Sequence, residues 1–313
     1  MAAPYASATT PLTHTEPAVT DVRTVAAFDF STGDAPENLT VGPDGSLTVS
    51  MLGSFAGKPP ELVRFSASGT HRTVLATGVL GDTFTGNTLG GDGTVYYNLW
   101  SADASRSGVW ALPPNSRTPR RIAALPADAL PNGLAIDPSG RTLYVADSHK
   151  STIWAVPAAG GRAHPWLTDQ ALAPVPDAEA FGANGLRFHN GAVWVSNFSA
   201  GTLMRVPVTR SGTAGPVHRV TEGAFGIDDF AFLGERSDVV LAAVNAANHV
   251  EVVHPDGTRT TVLTAADGLA SPTATAVRGT TLYITDAGVQ DPHHPQLQSA
   301  TINPRALRHA TGS

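Results

Sequence analysis

Six polar side chains recur along this chain at a near-constant spacing and could form one site. They are separated by 48, 47, 52, 44 and 45 residues, in the order Glu37, Thr85, Asn132, Asn184, Asp228 and Thr273. Two carboxylates and two amide oxygens among them are ligands that suit Ca²⁺, Mg²⁺ or Mn²⁺. None of the six is a histidine, so Zn²⁺ is less favoured. Two like charges brought together would repel unless a cation lay between them.

Short β-strands must position these residues. Each residue opens a unit in which an alternating apolar strand, usually a turn and a second apolar strand follow, as in PNGLAIDPSGRTLYVAD at 131–147. Further strands, such as TIWAVP at 152–157, complete the unit. Six units of about 45–50 residues predict an all-β, six-bladed β-propeller with four-stranded blades. A β-sandwich is the rival fold, but the fixed long period favours the propeller.

The ends of the chain suggest how the ring closes. The last unit lacks an outer strand, and VRTVAAFDF at 22–30 precedes the first unit. We expect this N-terminal strand to complete the sixth blade, because an open ring would leave unpaired edges. The predicted organisation is a flexible tail over 1–20, the propeller over 21–305 and a C-terminal tail over 306–313. The N-terminus lacks an apolar signal segment, which favours a cytoplasmic location, or a secreted one if a signal peptide has been removed.

Composition excludes several functional classes. The chain has 20 basic and 26 acidic residues, a net charge of −6, and no Lys/Arg cluster. We therefore expect neither nucleic acid nor a membrane surface as a partner, but a small-molecule substrate. The absence of cysteine excludes disulfides and thiolate chemistry. No Gly-x-Ser-x-Gly elbow supports a serine hydrolase. The oligomeric state stays open.

In a propeller the first residue of each innermost strand lies at one mouth of the central channel. The six opening residues should converge there, with Asp147, Asn197 and Asp286 on the same face. The rim would come from loops such as 52–61 and 287–296. Candidate substrate contacts are Asn132, Thr85, Thr273, Phe55, Trp100, Phe198 and His149. The aromatic residues suit a substrate with apolar surface, but blade packing is an alternative for them, and a surface loop is the alternative for His149.

Several motifs resemble a known family. PEN at 36–38, PNGLAIDPSGRTLYVADS at 131–148, ANGLRF at 183–188 and an Asp opening the fifth unit are similar to the senescence marker protein / gluconolactonase / regucalcin family of six-bladed propellers. The resemblance extends over residues from about 22 to 290. It implies that Glu37, Asn184 and Asp228 hold one divalent cation, calcium first and Mg, Mn or Zn as alternatives. It also implies that Asn132 contacts substrate or water, and that Asp228 helps to activate water for lactone hydrolysis.

The chain departs from that family at two positions. Leu130 stands where the sugar-lactone members carry an arginine, which argues against a sugar-acid lactone as substrate. Asp228-Asp229 replaces the usual Asp-Gly, so either carboxylate could be the ligand. We favour Asp228, because this choice keeps Phe230 and Phe232 on one face of the strand.

The sequence therefore predicts a metal-dependent hydrolase of a lactone or related ester, with Asp228 and Asn132 as catalytic residues. Two other hypotheses stay open. One is a propeller enzyme of another class, a lyase or a condensing enzyme of secondary metabolism similar to strictosidine synthase. The other is a non-catalytic ligand-binding propeller.

Overall fold

The computed structural model describes residues 16–176, 181–290 and 293–308. In these ranges the chain forms 24 strands in six antiparallel four-stranded sheets, so the predicted six-bladed propeller is confirmed. No helix in the described ranges is long and apolar enough to span a bilayer. Residues 1–15 and 309–313, where most of the predicted tails fall, lie outside the described residues.

The first strand and the first three blades follow the chain in order. The strand β1 spans Val19–Ala27. The strands of blade 1 are β2 (Pro36–Val41), β3 (Leu47–Met51), β4 (Glu61–Phe65) and β5 (Arg72–Thr77). The strands of blade 2 are β6 (Asp82–Leu89), β7 (Val95–Ser101), β8 (Gly108–Leu112) and β9 (Arg120–Ala124). The strands of blade 3 are β10 (Pro131–Ile136), β11 (Thr142–Asp147), β12 (Thr152–Pro157) and β13 (His164–Thr168).

The remaining blades continue this order. The strands of blade 4 are β14 (Ala183–His189), β15 (Ala192–Asn197), β16 (Thr202–Pro207) and β17 (His218–Thr221). The strands of blade 5 are β18 (Ile227–Gly234), β19 (Ser237–Val244), β20 (His249–Val253) and β21 (Arg259–Leu263). Blade 6 contains β22 (Pro272–Arg278), β23 (Thr281–Asp286) and β24 (Gln296–Ile302). Short 3₁₀ turns lie at Phe30–Thr32, Ser54–Ala56, Gln170–Leu172 and Ala265–Asp267, and one helix, α1, spans Pro304–Arg308.

The N-terminal strand closes the ring as predicted. Blade 6 has the order β1-β24-β23-β22, and β1 pairs antiparallel with β24. The strand begins at Val19, three residues before the expected start at 22. Val19 shares an apolar cluster with Leu307 of α1, so the end of the described chain packs against the closing blade. Closure pairs the outer edge of blade 6 within the same chain.

The core consists of apolar layers between neighbouring blades. Leu39 and Val49 of blade 1 pack against Tyr283 and Leu297 of blade 6, and equivalent clusters fill the other blade interfaces. Second strands are covered on both faces, so every residue of β15 is buried. This double burial explains why these strands appear in the sequence as continuous apolar runs rather than as strict alternation.

Each innermost strand carries a β-bulge at its first residues. The pairing register shifts by one residue within 36–38, 84–87, 131–134, 183–186, 227–230 and 272–274. A bulge re-aims a side chain and interrupts pairing, and bulges are enriched beside active sites. The six bulges coincide with the six opening residues and turn them towards the channel mouth.

Candidate functional site

One cavity of about 650 Å³ occupies the channel mouth, and all six opening residues line it. Phe55, Trp100 and Phe198, the aromatic residues expected there, line it as well. His149 is exposed and is not among the lining residues; its backbone N–H donates to the Asp147 carboxylate. The structure therefore brings together nine of the ten candidate side chains and leaves His149 outside.

Two carboxyl groups meet in this cavity and oppose each other's ionisation. Burial, reinforced by the nearby Asp229 charge, raises the pKa of Glu37 to about 7. Burial raises the pKa of Asp228 well above its ordinary value, with further contributions from Glu37 and then Asp229. Burial is the main cause of both shifts, and no positively charged side chain among the described residues that line the cavity offsets them. A divalent cation would remove the repulsion and keep both groups ionised.

Asn184 supplies a neutral donor to the same place. Its side chain is buried, and its amide oxygen has no hydrogen-bond partner among the described residues. A buried amide oxygen without a partner costs free energy unless a ligand or water satisfies it. The described residues contain no group of three His, Cys, Asp or Glu side chains suited to a metal. The donor set is instead two carboxylates and an amide oxygen, which fits Ca²⁺ or Mg²⁺ with open positions for water.

The structure separates the two adjacent aspartates. Asp228 lines the mouth cavity, whereas Asp229 pairs with Arg187, Nη2 to Oδ2 2.6 Å, and accepts from Asn38 Nδ2. Its other oxygen accepts from the backbone N–H of Phe230 at 2.7 Å. Burial still raises the pKa of Asp229, although Arg187 and Asn38 oppose the shift. Since its oxygens are occupied by these donors, Asp228 is the carboxylate available to a ligand.

The amide of Asn132 is anchored on one side. Its Nδ2 donates to Ser148 Oγ at 3.3 Å, and Ser148 Oγ donates to Ala183 O at 2.7 Å. This arrangement leaves the amide oxygen of Asn132 for a water or a substrate hydroxyl.

The hydroxyl groups of the two opening threonines donate hydrogen bonds to the backbone of neighbouring blades. Thr85 Oγ1 donates to Pro131 O at 2.7 Å, and Thr273 Oγ1 donates to Pro36 O at 3.0 Å. These hydroxyls hold the blade openings in register along the channel. Only their remaining lone pairs and methyl groups are left for a substrate, which weakens the expectation that they are substrate contacts.

A second set of polar residues, which the repeated motif does not reveal, hydrogen-bonds to the backbone carbonyls of the opening residues. Ser196 Oγ donates to Asp228 O at 2.6 Å, Asn98 Nδ2 donates to Asn132 O at 2.6 Å, and Thr285 Oγ1 donates to Glu37 O at 3.4 Å. Each donor lies in the second strand of the preceding blade. The sequence does carry a signal for them: a polar residue directly follows an apolar run in YYNLW, VWVSN and YITD.

The polar residues at the ends of second strands organise loops. Asp147 accepts from the backbone N–H groups of Leu130, His149 and Lys150 and from Trp154 Nε1. Asn197 donates to Ala171 O and Ala173 O. Asp286 accepts from Ala270 N. These buried side chains hold mouth loops and are not among the residues that line the cavity.

Other lining residues lie outside the repeated motif. Phe181, Asn245 and Gln290 belong to connecting loops, and Leu130 precedes the opening of blade 3. Phe181 and Phe198 meet edge to face with ring centroids 6.0 Å apart. Loop residues carry no strand periodicity, so the pattern that located the six openings could not find Phe181. Of the expected rim loop 287–296, residues 291–292 lie outside the described part.

Comparison with known proteins gives a fold but no family. No family model matches the chain, and no curated protein matches at a significant level. Among solved structures, regucalcin from Agrobacterium tumefaciens, a calcium-binding protein, has a TM-score of 0.67 and 17% identity over 90% of this chain and 94% of its own. An auxiliary nutrient binding protein from Bacteroides ovatus has a TM-score of 0.69 and 12% identity over 92% and 78%.

A third similar structure is an enzyme of a different class. It is a virginiamycin B lyase from Staphylococcus aureus with quinupristin, made catalytically inactive by replacing a histidine with alanine. Its TM-score is 0.57, with 12% identity over 90% of this chain and 100% of its own. These likenesses establish the propeller fold alone. The same architecture carries different functions in these proteins, so the function must come from the site.

Proposed function

We propose that this protein is a divalent-metal-dependent hydrolase of a lactone or related ester, acting at the mouth of the propeller channel. The observation that supports it best is the meeting of Glu37, Asn184 and Asp228 in one cavity, where the Asn184 oxygen is buried without a described partner. The sequence resemblance to the senescence marker protein / gluconolactonase / regucalcin family points to the same three residues, and a calcium-binding propeller is among the similar structures.

The chemistry follows from the residues of the cavity. A bound divalent cation would polarise a carbonyl and acidify water. Glu37, Asn184 and Asp228 would hold it with coordination positions open for water and substrate. The Asp228 carboxylate would accept a proton from the attacking water. Asn132, anchored through Ser148, would orient the substrate or that water through its amide oxygen.

A lyase-type function is the second candidate, since one of the similar structures is a lyase. That lyase is inactivated by loss of a histidine, whereas the described residues that line this cavity include no histidine. The acid–base groups here are carboxylates and amides. This composition favours metal-assisted hydrolysis over a mechanism that uses histidine.

The decisive experiment combines metal binding with turnover. We expect Asp228→Asn to lose Ca²⁺ binding in calorimetry, to lose the Ca²⁺-induced rise in melting temperature and to lose lactone hydrolysis. Glu235→Gln is the matched control, because Glu235 is exposed in the β18–β19 turn and does not line the cavity. Full hydrolysis by Asp228→Asn, or wild-type turnover in excess chelator, would refute the proposal.

A further inference from the structure

Apolar atoms contribute most of the exposed surface of the mouth cavity. Nine lining residues carry apolar side chains: Leu52, Phe55, Trp100, Leu130, Phe181, Phe198, Ala246, Ala287 and Val289. Trp100, Leu130, Phe181 and Phe198 come from consecutive blades 2 to 4, and this apolar sector lines one side of the cavity. The edge-to-face contact of Phe181 with Phe198 gives this sector a rigid aromatic surface. A ligand that does not cover this surface would not gain the favourable free energy of removing its apolar area from water.

The charges of the cavity discriminate against ionised ligands. No lysine, arginine or histidine occurs among the described lining residues, and the two ionisable groups are Glu37 and Asp228. A cation held by these two carboxylates would be neutralised by them, so it would offer no net positive charge to a distant anion on the substrate. A substrate carboxylate or phosphate beside the apolar sector would be desolvated without a partner. The net charge of −6 on the chain would also repel an anionic substrate.

Further large apolar side chains are exposed outside the cavity. Among the described residues, six large apolar side chains are exposed: Phe55, Val74, Val79, Leu80, Val175 and Phe225. Five of them lie on loops of the mouth face, and only Val74 lies in an outer strand, β5. Phe55 belongs to both sets, since it lines the cavity and is 62% exposed. Phe55 therefore extends the apolar wall of the cavity to the exposed rim.

We infer that the substrate is an uncharged lactone or ester with an apolar alkyl or aryl substituent, which lies along Trp100, Leu130, Phe181 and Phe198 and extends towards Phe55. This inference rests on the proposed function for the reacting group. The opening residues would take the carbonyl, and the apolar sector would select the substituent. Polyhydroxylated and carboxylate-bearing lactones would be poor substrates, since their polar groups would meet this wall.

The test uses γ-lactones with an unbranched alkyl chain of increasing length on the γ carbon, and the matching 3-alkylcyclopentanones, which cannot be hydrolysed. Each methylene buried against the wall contributes about 0.8 kcal/mol, so affinity for the ketones should rise about fourfold per methylene until the chain leaves the cavity. The corresponding kcat/KM for the lactones should rise in parallel. Ending the chain in a carboxylate should lower the affinity by at least tenfold. Calorimetry measures the ketones and pH-stat titration the lactones.

Variants locate the effect. Trp100→Ala and Phe198→Ala should flatten the dependence on chain length, whereas Val74→Ala, an exposed apolar residue of β5, should leave it unchanged. Leu130→Arg should reverse the preference between the neutral and the carboxylate-terminated chain. Circular dichroism establishes that each variant is folded.

The outcomes distinguish the inference from the proposed function. Hydrolysis that is independent of chain length, or faster for gluconolactone or for the carboxylate-terminated chain, would overturn the substrate class while leaving a lactonase. Chain-length-dependent ketone binding without any lactone hydrolysis would refute the hydrolase and retain the apolar, uncharged ligand. The expected result is both a chain-length dependence and hydrolysis that a chelator abolishes.

Discussion

Arg187 and Asp229 form an ion pair, 2.6 Å between Nη2 and Oδ2, that joins blades 4 and 5, which supply two of the three proposed metal ligands. Arg187 lies three residues after Asn184, Asp229 directly follows Asp228, and Asn38, which donates to Asp229, directly follows Glu37. Gly185 makes the close approach of blade 5 possible, because a Cβ there would lie 2.5 Å from the Asp229 Cα.

A smaller cavity of about 290 Å³, lined by Arg187 and Asn87 among others, lies at the other end of the channel.

Asp229→Asn should destabilise the protein by about 2–4 kcal/mol, because it leaves the Arg187 guanidinium without its charge partner. Arg187 is only partly buried, which places the expected loss at the lower end for buried pairs. Urea unfolding measures the change. The double variant Asp229→Asn/Arg187→Leu should recover part of the loss, giving a coupling energy in a double-mutant cycle. Additive effects of the two substitutions would contradict a direct pairing.

Ser196→Ala tests whether the donors behind the opening residues position the ligands. Ser196 Oγ accepts from Gly185 N at 2.8 Å and donates to the Asp228 carbonyl, so its loss leaves two buried groups unpaired. We expect a loss of about 1–3 kcal/mol in stability and roughly tenfold weaker Ca²⁺ binding, a cost typical of removing outer-shell partners. Calorimetry on the folded variant measures the affinity.

Ser107→Ala is the matched control for Ser196. Ser107 Oγ is also buried between two backbone groups, Ser101 N and Ser101 O, but it does not line the mouth cavity. It should cost similar stability and leave the Ca²⁺ affinity unchanged. Equal Ca²⁺ affinity in the two serine variants would mean that Ser196 stabilises the fold without positioning Asp228.

Gly133→Ala should destabilise the contact between blades 3 and 4. A Cβ on Gly133 would lie 2.4 Å from Asn184 O and 2.5 Å from Leu186 N, both backbone atoms that cannot rotate away. The forced separation should cost on the order of 1–3 kcal/mol or more, which thermal unfolding measures. Gly91→Ala is the control, because nothing lies within 4 Å of a Cβ there. If both variants melted alike, the close approach of the blades would be wrong.

Asp286 should make stability depend on pH. Burial raises its pKa to about 7 from the ordinary 3.8, while the Ala270 N–H opposes the shift. Between these values the folded state holds a proton that the unfolded state has lost, so stability falls as the pH rises from about 4 to 7. Asp286→Asn should therefore gain on the order of 3–4 kcal/mol over the wild type at pH 8, and nothing at pH 4. Urea unfolding at the two pH values measures the difference.

The same substitution at Asp147 should have the opposite effect. Asp147 ends the second strand of blade 3, as Asp286 does in blade 6, but both its oxygens accept hydrogen bonds, including one from Trp154 Nε1. Asp147→Asn would place an amide N–H against these donors and destabilise the fold. A stabilising effect of Asp147→Asn, or a gain for Asp286→Asn that does not vary with pH, would contradict this account.

Much of the fold was predictable because its information is local. Period-two alternation and turn residues repeat with each blade, so the strands and the six opening positions appear in the sequence without knowledge of any contact. The closing strand was predictable too, since the last unit lacks an outer strand and VRTVAAFDF supplies one. The residues of the proposed metal site were found for the same reason: each is the first residue of a repeated unit.

The tertiary structure decided the rest because it depends on groups far apart in the chain. Asp228 and Asp229 are neighbours with the same chemistry, and only Asn38, 191 residues away, and Arg187 show which carboxylate is already occupied. Phe181 and Leu130 join Trp100 in one wall through loops that carry no periodic signal. His149 has the chemistry of a catalytic residue, but its loop places it outside the cavity. A repeat determines where each strand begins, whereas the cavity depends on how side chains from six blades meet.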